Sequence, residues 1–159
     1  MLRILKRSVL WILARLEARR LVRQTMGEIP RIRQYALEHC PAGVVPEARR
    51  GRAGKLILGV VGGYPFLGYV RVGYDVEGPY YNPNLLFDEV HYFQDRWTPP
   101  LVLDLGYPFF VHRFQTAADV VRICRQHKVH IIRAYDPANG AIAVEAAKEL
   151  NVPVVVSVH

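Results

Sequence analysis

The last fifty residues constrain the fold more than any other part of the chain. Thr116 to Gln126 sets Ala117, Val120, Val121 and Cys124 on one helical face, and Asn139 to Leu150 does the same with Ile142, Ala143, Ala146, Ala147 and Leu150. Between and after these helices lie two short apolar runs rich in branched residues, Val129 to Ala134 and Val152 to Val158. Helix, strand, helix and strand in this order form right-handed crossovers and predict a parallel sheet. Asn139 is the expected N-cap of the second helix and Asn151 its stop.

Upstream, Lys55 to Val61 is a branched apolar run between Gly54 and Gly62 and reads as a parallel strand buried on both faces. Phe87 to Phe93 reads as a second strand. Leu101 to Leu105 with Pro108 to Val111 reads as a third, its extent limited by Pro99, Pro100 and Pro108. The expected class is therefore α/β, a Rossmann-like parallel sheet flanked by helices. Of the 17 aromatic residues, 14 fall between Tyr64 and Phe114, among many Pro and Gly. Core filling beneath long connections is their expected use, and a sugar-stacking surface is the alternative.

Charge divides the chain in two. Residues 1–55 hold 13 Lys/Arg against 4 Asp/Glu, net +9, whereas residues 56–159 hold 8 against 10, net −2. The overall +7 thus belongs to a basic extension, residues 1–54, and not to the body, residues 55–159. Nucleic acid is not an expected partner of such a body. Residues 2–26 lack Pro and Gly and carry an apolar helical stripe of Leu2, Leu5, Val9, Ile12, Leu13 and Leu16, with Arg3, Lys6, Arg7, Arg15 and Arg20 off it. This basic amphipathic helix suits an anionic membrane surface, with Trp11 at headgroup level, and equally suits packing on the body. Gly27 and Pro30 are expected to end it, and Arg31 to His39 to form a second short helix. Pro41 to Gly54, with Arg49, Arg50 and Arg52, reads as a linker.

Several classes are excluded. The longest apolar run near the N-terminus, Val9 to Ala14, spans six residues, far short of the ~20 that cross a bilayer. A cleaved signal peptide fits badly, because Arg15, Arg19 and Arg20 occupy the ground of its cleavage site. Cys40 and Cys124 form neither a disulfide framework nor a zinc motif and read as reduced thiols, so the expected location is the cytoplasm, peripheral to the inner face of the membrane if the helix engages it.

Ligands of open parallel sheets bind beyond the carboxyl ends of the strands. Three places qualify. Gly62-Gly63 follows the first strand, as a tight turn or a point of close backbone approach. Arg133 to Gly140 leaves a strand and opens a helix, with Asp136 placed to hydrogen-bond a polyol or simply to form an Asp-Pro turn. His159 stands at the end of the last apolar run. His127 and His130 straddle a helix end and a strand start, and His91 and His112 have no partner at ligand spacing, so no metal is expected.

The segment Val129 to His159, with Arg-Ala-Tyr-Asp-Pro at 133–137 and Val-Pro-Val-Val-Val-Ser-Val-His at 152–159, resembles the N-terminal domain of the family-four glycosyltransferases of the GT-B fold. Asn82 to Phe93 is similar to that family's second-strand region. The resemblance spans about Lys55 to His159, is specific in its last third and looser in the middle, and has no counterpart for residues 1–54. It implies transfer of a sugar from a nucleotide-sugar donor to a glycan, lipid or small-molecule acceptor, with retained anomeric configuration and no metal cofactor. By motif position it implies that His159 is the active-site histidine, orienting the donor sugar, and that Gly62, Gly63, Arg133 and Asp136 line the substrate cleft. Val129-His130 departs from the family's acidic strand start. The resemblance further implies a truncated acceptor-side lobe, inactive alone because the donor lobe is missing. The alternatives from other classes are a non-catalytic Rossmann-like nucleotide- or sugar-binding module and an interaction protein whose basic helix recruits a partner.

Overall fold

Five apolar runs pair side by side because each can bury both faces only inside a sheet. The computed structural model describes residues 49–63, 82–95 and 100–157, together with scattered helical positions between 9 and 34. Its strands are β1 (Ile57–Gly63), β2 (Glu89–Asp95), β3 (Leu101–Asp104), β4 (Pro108–Phe114), β5 (Ile131–Ala134) and β6 (Val154–Val156). The helices of the body are α1 (Ala117–His127) and α2 (Pro137–Leu150). They build one six-stranded sheet in the order β3-β4-β2-β1-β5-β6, parallel except for β3. The α/β class with a mostly parallel sheet flanked by helices is thus observed, and it is compatible with the expected Rossmann-like arrangement.

Both helices cover the same face of the sheet, as right-handed crossovers running in one direction require. Ile57, Val61, Phe93, Ile132 and Ala134 meet Val120, Cys124, Ala143 and Ala147 there. The opposite face buries Leu58, Val60, Val90, Tyr92, Phe109 and Val111 in one cluster with Phe87 and, from β3, Leu103. Six of the aromatic residues between 64 and 114 (Phe87, Tyr92, Phe93, Tyr107, Phe109 and Phe114) are buried, which is the core-filling use; Tyr64 to Tyr81 lie outside the described residues.

Local chemistry corrects several expected boundaries. The third strand is two: Gly106, at φ 84°, turns a hairpin in which Asp104 pairs with Pro108. Pro108 opens β4 instead of limiting it, because at the first position of a strand its missing N–H costs no ladder bond. The second helix begins earlier than expected. Asp136, not Asn139, is its N-cap, with Pro137 following directly, and Asn139 is the residue whose N–H the cap accepts, at 2.8 Å. Asn151 ends α2 in the left-handed conformation, as expected. Thr116 and Asp119 form a reciprocal capping box on α1.

The arginines read as part of a linker are fastened to the body. Arg49 and Arg52 both pair with Asp88, which also accepts the Leu56 N–H at 2.8 Å, and Arg52 donates to the Leu86 carbonyl at 2.9 Å. Beside them Asn82, almost wholly buried, exchanges two 2.9 Å hydrogen bonds with the backbone of Phe87. These contacts fix the entry into β2.

Towards the N-terminus, Val9, Ile12, Leu13 and Leu16 of the apolar stripe are helical and each about half exposed, as is Trp11, over whose ring Arg15 stands at 4.6 Å. Gly27 and Pro30, expected to end that helix, are themselves helical. The glycine penalty of about 1 kcal/mol is small enough for flanking helix formers to override. No helix among the described residues is long and apolar enough to cross a membrane.

Candidate functional site

The strand order creates a crevice. β2 follows β1 on one side of it, whereas β5 follows β4 on the other, so the order reverses between β1 and β5, the switch point at which parallel sheets take their ligands. Gly62 and Gly63 are the last two residues of β1, not a turn after it, and the ladder to β2 shifts register between Val61 and Gly63. Arg133 pairs with Val60, which also pairs with Tyr92, so Tyr92 and Arg133 flank β1 on one face. The Arg133 guanidinium lies over the ring of Tyr135 at 4.7 Å. Asp136 stands just past β5. The structure therefore brings Gly62, Gly63, Arg133 and Asp136 to one end of the sheet. His159 lies outside the described residues.

Two of these side-chain positions have structural work of their own. A Cβ at Gly62 would stand 2.0 Å from the Tyr92 hydroxyl, so the space that glycine leaves is filled by tyrosine. Both carboxylate oxygens of Asp136 are engaged, one by the backbone N–H of Asn139 and the other by its side-chain amide. Asp136 thus shapes the start of α2 and is not a free base. Arg133, stacked on Tyr135, is the cation of this end of the sheet.

The opposite end of the sheet holds a cluster that sequence spacing did not reveal. Glu89 and His91 project from the same face of β2, two residues apart. In the β2–β4 register His91 faces Phe110 and Phe93 faces His112, which brings the His112 ring diagonally beside His91. His127, the last residue of α1, closes over them. His91 Nε2 lies 2.6 Å from Glu89 Oε1, and its Nδ1 lies 2.8 Å from His112 Nε2. The Phe110 ring stacks on His91 at 4.9 Å, and the His127 ring leans against it at 4.3 Å. Burial pushes His112 down from 6.5 to about 4, assisted by repulsion from His91, His127 and Arg122. Burial lowers His91 as well, against the opposing pull of its hydrogen bond to Glu89. His130 takes no part: its Nδ1 accepts the Ile57 N–H at 3.2 Å and extends the start of β1.

No protein-family model, no curated protein and no solved structure matches the chain.

Proposed function

We propose that the body is the acceptor-side lobe of a retaining glycosyltransferase of the GT-B type, working on a nucleotide-sugar donor and a hydroxyl acceptor. The observation that carries this reading is the switch point between β1 and β5, where parallel sheets form a ligand crevice and where the motif at 133–137 and the glycine pair fall at the carboxyl ends of the strands. A crevice of this kind holds a polar ligand against backbone N–H groups, with Arg133 supplying positive charge for a phosphate or hydrogen bonds for sugar hydroxyls. In this reading His159, by its motif position, orients the donor sugar through hydrogen bonding, a positioning role. No metal cofactor belongs to this proposed chemistry.

Amide chemical shifts of the isotope-labelled chain, followed during titration with methyl glycosides, UDP-glucose, GDP-mannose and free UDP, test the assignment. Glycosides or nucleotide sugars are expected to move the amides of Gly62, Gly63 and Ala134 to Gly140, and Arg133→Ala is expected to weaken that response about tenfold, the loss of one charge-assisted hydrogen bond. Free UDP binding as tightly as UDP-glucose would favour the nucleotide-binding module. Silence at those amides with every probe would remove the crevice as a substrate site.

The same reading places residues 2–26 on an anionic membrane surface, supported by the exposure of Val9, Trp11, Leu13 and Leu16 together with neighbouring arginines. Full-length chain is expected to co-sediment with vesicles containing phosphatidylserine at low salt and to be released as salt rises. Equal partition to neutral and anionic vesicles, or none to either, would refute it.

A further inference from the structure

Glu89, His91 and His127 each offer one ligand atom, and these atoms all lie within 4.8 Å of one another. Donors held about 2.1 Å from a common tetrahedral ion stand roughly 3.4 Å apart. The observed 2.6 Å from Glu89 to His91 and 4.0 Å from Glu89 to His127 bracket that spacing, so an ion would need only small side-chain movements. His91 is fully buried, Glu89 is 14% exposed and His127 29% exposed. The three donors therefore converge on a point with an apolar wall behind it, Phe110 stacked on His91, and access past His127 in front.

The second nitrogen of His91 strengthens the case. Metal-binding histidines commonly pass the proton of their other ring nitrogen to a fixed partner, which sets the tautomer and the ring angle. His91 Nδ1 has such a partner in His112 Nε2 at 2.8 Å. With no ion bound, the short contact to Glu89 requires the proton on His91 Nε2, so His112 must donate to Nδ1. An ion at Nε2 replaces that proton, His91 then donates from Nδ1, and His112 accepts. Both states keep the same chain of contacts and differ only in where the protons sit.

We propose that Glu89, His91 and His127 bind one divalent transition-metal ion, with zinc the best fit to two imidazoles and a carboxylate, and with His112 as the orienting partner of His91. The ion ties the last turn of α1 to β2 at the amino ends of the strands, away from the crevice at their carboxyl ends. Three protein ligands leave the fourth position to water, and the site is independent of the glycosyltransferase reading. Arg122, whose charge is felt at His112, is paired with Asp119 at 3.8 Å.

The test is calorimetric titration of the EDTA-treated full chain with zinc alone, and the visible spectrum of its cobalt form. One equivalent is expected to bind with a Kd at or below about 10 µM, the Tm to rise on saturation, and Glu89→Gln and His127→Gln each to weaken binding about tenfold or more. Both side chains are partly exposed, so their variants are expected to fold, which circular dichroism checks. His127→Gln, at a helix end, suffices alone if Glu89→Gln does not fold. A chain with His39, His130 and His159 all changed to Gln is expected to bind as the parent does. No saturable binding at 100 µM zinc, binding unchanged in His127→Gln, or binding lost in the triple variant would each overturn the proposal.

Discussion

Replacing Gly62 with alanine is expected to destabilise the chain by about 3 kcal/mol, the upper end of the overpacking range, with the slope of urea unfolding unchanged. The added Cβ would stand 2.0 Å from the Tyr92 hydroxyl, 2.3 Å from Cζ and 2.6 Å from Cε2. Relief requires the ring to withdraw, but Tyr92 is fully buried and Phe109 stacks near it at 6.2 Å. The alternative is movement of β1, which pairs on both sides, with β2 and β5. A double-mutant cycle isolates the cause: in a Tyr92→Leu background the penalty at Gly62 should fall below about 1 kcal/mol. Gly27→Ala is the control, since nothing lies within 4 Å of its Cβ and the residue is helical, so that substitution should be neutral or stabilising by up to about 1 kcal/mol. A Gly62→Ala chain as stable as the parent would show that the tyrosine does not occupy the glycine's face. Because the clash acts on folding, loss of ligand binding in that variant says nothing about the crevice, and Arg133 is the residue to change there.

Why sequence exposes one end of this sheet and hides the other follows from what each end is made of. The crevice depends on strand ends and on the Asp-Pro helix start, both local signals, and residues 131–156 fold nearly where their periodicity places them. The shift from Asn139 to Asp136 is itself local: Asp-Pro makes a turn, but an acidic N-cap followed by proline is an equally good helix opening. The single strand expected over 101–111 is a hairpin because Pro108 can open a strand as well as break one. The histidine cluster is of another kind. Its Glu89-x-His91 pair is visible in the sequence, but His112 joins through the pairing of β2 with β4, and His127 through the docking of α1. Pairing register and helix docking are set by the whole core, Val120, Cys124 and Phe93 among it, and no window of sequence contains them.

That same cluster makes the metal-free chain acid-labile. His112 has its ordinary value of 6.5 when unfolded and about 4 when folded, because burial disfavours its charged form. A folded-state value below the unfolded one means that the unfolded chain takes up protons first as pH falls. Stability is therefore complete above pH 6.5 and declines as pH drops from 6.5 towards 4. His91 is shifted in the same direction and adds to the slope. The half-buried ring of His112 retains some access to water, so its share, discounted for screening, is about 2 kcal/mol across that window. Asp119, lowered by the N–H groups it accepts in the capping box, loses its contribution only below its ordinary 3.8, which separates it from the histidines. Urea unfolding in the presence of EDTA at pH 7.5, 6, 5 and 4.2 measures the decline. His112→Gln retains a hydrogen-bonding partner for His91 but cannot titrate, so it should flatten most of the slope, leaving the smaller part that His91 contributes. A parent chain equally stable at pH 7.5 and 4.2 would mean that the imidazole is hydrated in solution. With zinc present the decline should steepen, because the ion adds stability at pH 7.5 that is lost as protons displace it from its ligands.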